Sequence, residues 1–208
     1  MKLFNLDTPM MHTLGKIIDL VILNLLFLIC SLPLVTIGAA YTALYSVTLK
    51  MVNDEESYII KDFFNSFRVN FKVSTLSWLV VIFLGMTTFS YAQLIDRAFG
   101  DDASHLILFL LPLITCFSLC ALYLFPYVSY FEKTVGQAFK NSFIIAILNL
   151  PHTFLLIFIY VVAVWIFLLA EIELLWFVGM LMGFSTSAYV TSMIYRRIFA
   201  RYEKIFDD

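Results

Sequence analysis

The stretch that decides the fold runs from Val73 to Ile95 and reads VSTLSWLVVIFLGMTTFSYAQLI, without one charged residue. A helix crosses a bilayer with about 20 apolar residues, so this run alone predicts a spanning helix. Four more runs are predominantly apolar: Ile17–Leu32, ended near Pro33, then Leu106–Phe131, Phe143–Ala170 and Ile172–Tyr195. A sixth, Ile37–Val52, is short and carries Thr42, Ser46 and Thr48. The whole chain of 208 residues is 62% hydrophobic and 13% charged, has 22 Phe, and has a mean hydropathy of +0.94. Soluble domains carry about 25% charged residues, and a core of this length cannot bury so much apolar surface. Soluble, disordered and disulfide-stapled classes are thereby excluded. A net charge of -2 gives no reason to expect nucleic acid.

The cations decide the topology. Lys and Arg of short loops stay on the cytoplasmic face. With six crossings, twelve fall on one side: Lys2, Lys16, Lys50, Lys61, Arg68, Lys72, Lys133, Lys140, Arg196, Arg197, Arg201 and Lys204. The other side keeps only Arg97, beside Asp96, Asp101, Asp102, Glu171 and Glu173. Five crossings would sort them ten against three. Six crossings with both termini cytoplasmic is the expectation, as one transmembrane domain over residues 1–208. The apolar run after Met1–Gly15 starts late and lacks a small-residue cleavage site, so the first helix is expected to be retained. Cys30, Cys116 and Cys120 lie in apolar runs and read as small hydrophobes.

Between the second and third runs, Asn53–Lys72 has helical rather than loop character. Asn53 is placed to cap a helix opening with Asp54, Glu55 and Glu56, with Glu56 at the capping-box position. Ile59, Ile60, Phe63, Phe64, Phe67 and Phe71 share one side, while Lys61, Asn65, Arg68 and Lys72 take the other. The pattern suits an amphipathic helix in the interface, or equally a cytoplasmic helix packed on the bundle. Phe63-Phe64-Asn65-Ser66-Phe67 recurs as Phe139-Lys140-Asn141-Ser142-Phe143, which suggests two helix–elbow–helix units over roughly 33–95 and 106–170. The tail repeats the chemistry, with Tyr195, Ile198, Phe199, Tyr202 and Phe206 on one side. Such patches are candidate surfaces for a partner or for lipid.

Few groups could carry chemistry. Asp19 lies one turn from Lys16, which suggests a self-neutralising pair. Asn24, Gln93, Asn149 and His152 are the other polar groups expected inside. Asn149 and His152, beside Pro151, form a candidate polar intramembrane site, or else a hydrogen-bonded packing elbow. His12, His105 and His152 are far apart and lack the Glu of a zinc protease motif. Gly183-Phe184-Ser185 is followed by Thr186, where intramembrane serine proteases carry Gly; the dense Ser185, Thr186, Ser187, Thr191 and Ser192 read as close helix packing. No nucleotide loop occurs. A non-enzyme without cofactor or metal is expected.

Two stretches resemble a known family. Leu28-Ile29-Cys30-Ser31-Leu32-Pro33-Leu34-Val35-Thr36-Ile37-Gly38-Ala39-Ala40, followed by Ala43-Leu44-Tyr45, is similar to the opening signature of the YesL-like bacterial membrane proteins. Phe63-Phe64-Asn65-Ser66-Phe67-Arg68-Val69-Asn70-Phe71 resembles that family's second block. The resemblance implies an all-α polytopic protein of the bacterial cell membrane, encoded beside carbohydrate ABC importers, their binding proteins and glycoside hydrolases. It carries no catalytic residues to transfer. It implies an accessory role with ABC importer permease subunits and membrane lipids as partners, and homo-oligomers are compatible with it; a carrier or channel acting alone is the alternative. The residues singled out are Pro33, Thr36 and Gly38 for a tight hairpin, and Phe63, Phe67, Arg68, Asn70, Phe139 and Phe143 for the elbows. Pro33 ends the first helix, and Thr36, Gly38, Ala39 and Ala40 let the next pack closely.

Overall fold

A proline, an asparagine and a broken apolar run set where the helices stop. The computed structural model describes residues 9–55, 58–99, 111–131, 134–169 and 173–206, all helices and their links, with no strand among them. In chain order the helices are α1 (Pro9–Ser31), α2 (Ile37–Val52), α3 (Ile59–Phe99), α4 (Leu111–Tyr130), α5 (Val135–Leu148), α6 (Leu150–Leu169) and α7 (Glu173–Phe206), with a single 3₁₀ turn at Leu34–Thr36.

α2, the short sixth run, is the centre of the bundle. Ala39, Ala40, Ala43, Leu44, Tyr45 and Val47 are fully buried, and the helix packs against α1, α3, α4 and α7. Small residues let backbones approach, and the hydroxyls that dilute its hydropathy pair with neighbours. Thr42 bonds Ser74 at 2.8 Å and Thr48 bonds Ser192 at 2.8 Å.

Asn53 ends α2 rather than starting α3. Its backbone N–H reaches the carbonyls of Leu49 and Lys50, and Asp54 follows at φ 54°, the left-handed conformation that stops helices. α3 begins at Ile59, where the Asp62 carboxylate accepts the Tyr58 N–H at 3.0 Å and pairs with Lys50 at 3.2 Å. Glu56 lies outside the described residues. Lys16 pairs with Asp54 at 3.1 Å, so its partner is the α2–α3 link and not Asp19.

The expected elbow at Asn53–Lys72 is not a separate helix. α3 runs unbroken for 41 residues, about 61 Å, and joins the amphipathic stretch to the span. No proline interrupts it, so nothing forces a joint. The run Phe143–Ala170 is instead divided. Pro151 has no N–H to donate, and Asn149 sits between α5 and α6 at φ -119°, ψ 40°. The α4–α5 pair is bent by 119°. α5 opens with a capping box, Thr134 with Gln137, that the sequence displays as Thr-x-x-Gln.

By length and composition, three helices can cross a membrane, over Leu14–Ser31, Leu34–Val52 and Ile59–Ala98. The bent pair Ile114–Tyr130 with Val135–Leu148 makes a fourth if taken as one, and Leu150–Trp165 is apolar but shorter. Three to four candidate spans therefore stand among the described residues. The outer faces of α3 and α6 suit lipid, since Leu79, Phe83, Met86 and Phe89 of the one and Phe154, Phe158 and Trp165 of the other are exposed.

Candidate functional site: the hairpin, the helix ends and a hydroxyl-lined interior

The hairpin is built from its own polar atoms. The Thr36 hydroxyl lies 2.6 Å from the Cys30 carbonyl oxygen and 2.8 Å from that of Pro33, and the Thr36 N–H donates to Pro33 at 2.9 Å. The Trp78 indole N–H donates to the Leu34 carbonyl at 2.8 Å. Trp78 was not among the residues singled out, because nothing in sequence links positions 34 and 78. Gly38 is where α2, α3 and α4 meet. A Cβ there would stand 2.5 Å from the Ser74 carbonyl oxygen, 2.6 Å from the Trp78 Cβ and 3.1 Å from the Phe125 ring.

The first part of α3 shows three strips. Ile59, Phe63 and Ser66 are buried, with Phe67 and Asn70 half-buried; Ile60, Phe64 and Phe71 are exposed; Lys61, Arg68 and Lys72 are exposed beyond them. Phe67 stacks on Phe63 and meets Phe71 at a tilt, and Asn70 bonds to Ser66 of its own helix. On α5, Phe139 packs against the core, Phe143 is half-buried, and Asn141 donates to the Tyr127 hydroxyl at 2.7 Å. The repeated serines, Ser66 and Ser142, are both buried.

The apolar side of the tail, a candidate surface for a partner or lipid, is instead covered by the bundle itself at Tyr195, Ile198 and Phe199, while the Phe206 side chain lies outside the described residues. Tyr195, Ile198 and Phe199 are buried, and Phe199 meets Tyr127, Tyr130 and Phe131 of the α4 end. Arg196 donates to the Val52 carbonyl at 2.9 Å, closing the end of α2. Periodicity shows that a face is apolar and not what covers it.

Asn149 and His152 are not joined. The buried Asn149 amide donates to the Ile145 carbonyl and to the Tyr202 hydroxyl, each at 3.0 Å, and no hydrogen bond links it to His152. Thr153 occupies the polar position instead, bonded to the Ala146 and Asn149 carbonyls and to Tyr123. Gln93, expected inside, is exposed on α3.

The interior holds a cluster that sequence reasoning missed. The Tyr45 hydroxyl of α2 shares hydrogen bonds with Tyr160 of α6 and with Thr191 of α7, the latter at 3.2 Å. Tyr195 stacks edge-on against Tyr45 and Tyr123 and donates to the Leu122 carbonyl at 2.8 Å. Asn24 of α1 donates to the Met180 carbonyl at 2.8 Å and accepts the Ser185 N–H at 3.1 Å. These partners lie far apart in the chain, so only the expectation of an inward Asn24 and the Ser/Thr density of α7 hinted at them. Every buried side chain classed as polar or charged among the described residues is an amide or a hydroxyl. Ser185 bonds Met182 of its own helix, so no nucleophile–base pair forms there. Cys120 contacts the Phe139 carbonyl, and no His, Cys, Asp or Glu cluster of metal-binding size occurs among the described residues.

The Thr36–Cys30, Trp78–Leu34 and Thr42–Ser74 bonds tie α1, the turn, α2 and α3 to one another. The model of a protein family of unknown function, DUF624, matches residues 20–90. The match takes in Pro33, Thr36, Gly38 and the first part of α3, and leaves Phe139, Phe143, Asn149 and His152 outside it. No curated protein and no solved structure matched.

Proposed function

We propose that this chain is a non-enzymatic multi-pass protein of the bacterial cell membrane, an accessory to a carbohydrate ABC importer. Its termini face the cytoplasm, and α1, α2, α3, α4, α6 and α7 are its six membrane-inserted segments. Permease subunits are contacted through helix faces and through the cationic ends of α3 and α7. The YesL-like resemblance supplies the importer context and is consistent with the DUF624 match.

Three contacts support the orientation, because each gathers helix ends that the cations assign to the cytoplasm. Lys16 reaches Asp54, Arg196 reaches the Val52 carbonyl, and Asn149 reaches Tyr202. The observation that carries the accessory reading is that the buried polar side chains among the described residues are all uncharged, and most of them are hydrogen-bonded. Ion-coupled carriers build their sites from intramembrane ionisable groups, whereas Tyr45, Tyr160, Thr191, Asn24 and Asn149 are engaged in holding helices together.

The test is recovery of the tagged chain from native membranes in mild detergent. Permease and ATPase subunits are expected at near-equal amounts; a chain that purifies alone or only with itself refutes the accessory role. Solute flux by the purified chain in liposomes would establish the rival carrier.

A further inference from the structure

We infer that α1 and α2 form a hairpin that enters from the cytoplasmic side and turns inside the hydrocarbon, with its tip against lipid acyl chains. This deepens the topology proposed above and rests on reading α3 as a crossing helix.

The level of the tip is fixed by two contacts. Leu34 of the turn is bonded to Trp78, and Gly38 lies against Ser74, Trp78 and Phe125. Beyond Trp78, α3 continues to Phe99, and its uncharged stretch from 79 to 95 is about 25 Å long. That is most of the ~30 Å hydrocarbon thickness, and a tilt of ~40° still leaves about 20 Å. α4 likewise runs about 21 Å from Leu111 to Leu124 before it reaches the Gly38 level at Phe125. If the turn stood at the far face, these stretches would project into water with Phe83, Met86 and Phe89 exposed. The turn therefore lies short of that face.

The chemistry of the tip fits such a place. Ile29, Leu32, Leu34 and Val35 are 63%, 79%, 73% and 50% exposed, with no charge among them. Backbone at membrane depth needs internal partners. Pro33 has no N–H, the Cys30 and Pro33 carbonyls face the Thr36 hydroxyl, and the Leu34 carbonyl takes the Trp78 indole. The charged groups Lys16, Asp54, Lys50 and Asp62 gather at the hairpin's opposite end.

The experiment introduces Leu34→Cys, Arg97→Cys or Asp54→Cys, one at a time, into the full chain with Cys30, Cys116 and Cys120 replaced by Ala. Intact cells and inverted vesicles are treated with a membrane-impermeant maleimide, and SDS-denatured samples give full labelling. The Leu34→Cys thiol is expected to be protected from both sides by at least tenfold relative to the denatured sample. The Arg97→Cys variant is expected to label from outside and the Asp54→Cys variant from inside. Labelling of Leu34→Cys from outside at the rate of Arg97→Cys overturns the hairpin. Labelling of Arg97→Cys only from inside overturns the proposed orientation, while protection of Leu34→Cys from both faces still upholds the intramembrane turn. A bimane attached to the Leu34→Cys variant separates lipid from protein cover: quenching by lipids brominated in mid-chain is expected, and its absence refutes acyl contact.

Discussion

Replacing Gly38 by Ala tests the packing on which the bundle depends. The added methyl would meet the Ser74 carbonyl oxygen at 2.5 Å and the Trp78 Cβ at 2.6 Å, and neither can swing aside without moving α3. Restoring ordinary contact near ~3.5 Å requires α2 and α3 to part by about 1 Å. Overpacking of this kind costs about 1–3 kcal/mol. Separation also stretches the Thr42–Ser74 and Trp78–Leu34 bonds, both 2.8 Å, at ~0.6 kcal/mol for each interhelical bond in a membrane. Alanine's helix preference over glycine returns ~1 kcal/mol. The net loss is about 1–3 kcal/mol, which at ~2–4 °C per kcal/mol for a chain of this size is a fall of about 2–12 °C in Tm. Gly85→Ala is the control, since nothing lies within 4 Å of a Cβ there. Melting of both purified variants, followed by circular dichroism in one detergent, makes the comparison. If Gly38→Ala melts no lower than Gly85→Ala, the close meeting of three helices at Gly38 is wrong.

Two other substitutions probe the interior. Asn24→Leu leaves the Met180 carbonyl and the Ser185 N–H without their side-chain partner, and a loss of about 1–3 kcal/mol is expected; denaturant unfolding that matches the parent chain would dismiss the bridge. Tyr45→Phe and Tyr160→Phe, combined in a double-mutant cycle, should show a coupling of about 0.6–1.7 kcal/mol, and additive losses would mean that the two hydroxyls do not share a bond.

What the sequence made legible was local, and what it hid was mostly distant in the chain. The apolar runs at Ile17–Leu32 and Val73–Ile95 appear as helices because hydropathy is a property of consecutive residues. The continuity of α3 was also local information: no proline lies between Ile59 and Phe99. The division at Asn149 follows from Pro151, and the start of α5 from Thr134 and Gln137. The Trp78–Leu34, Tyr45–Tyr160 and Asn24–Ser185 contacts join residues 44, 115 and 161 apart. No spacing rule reaches that far. Helical spacing offers Asn149 and His152 as a polar site or as a packing elbow, and the break between α5 and α6 with the arrival of Tyr202 gives Asn149 the hydrogen bonds of the elbow.

The contrast between α3 and the α5–α6 segment has a mechanical consequence. One is a rod of 41 residues with no joint; the other is divided at Asn149, with Pro151 just beyond. A force applied to the Ile59 end of the rod is delivered to its far end as rotation of the whole. The same force on α5 is absorbed where the segment folds, so the two halves of this chain transmit strain unequally.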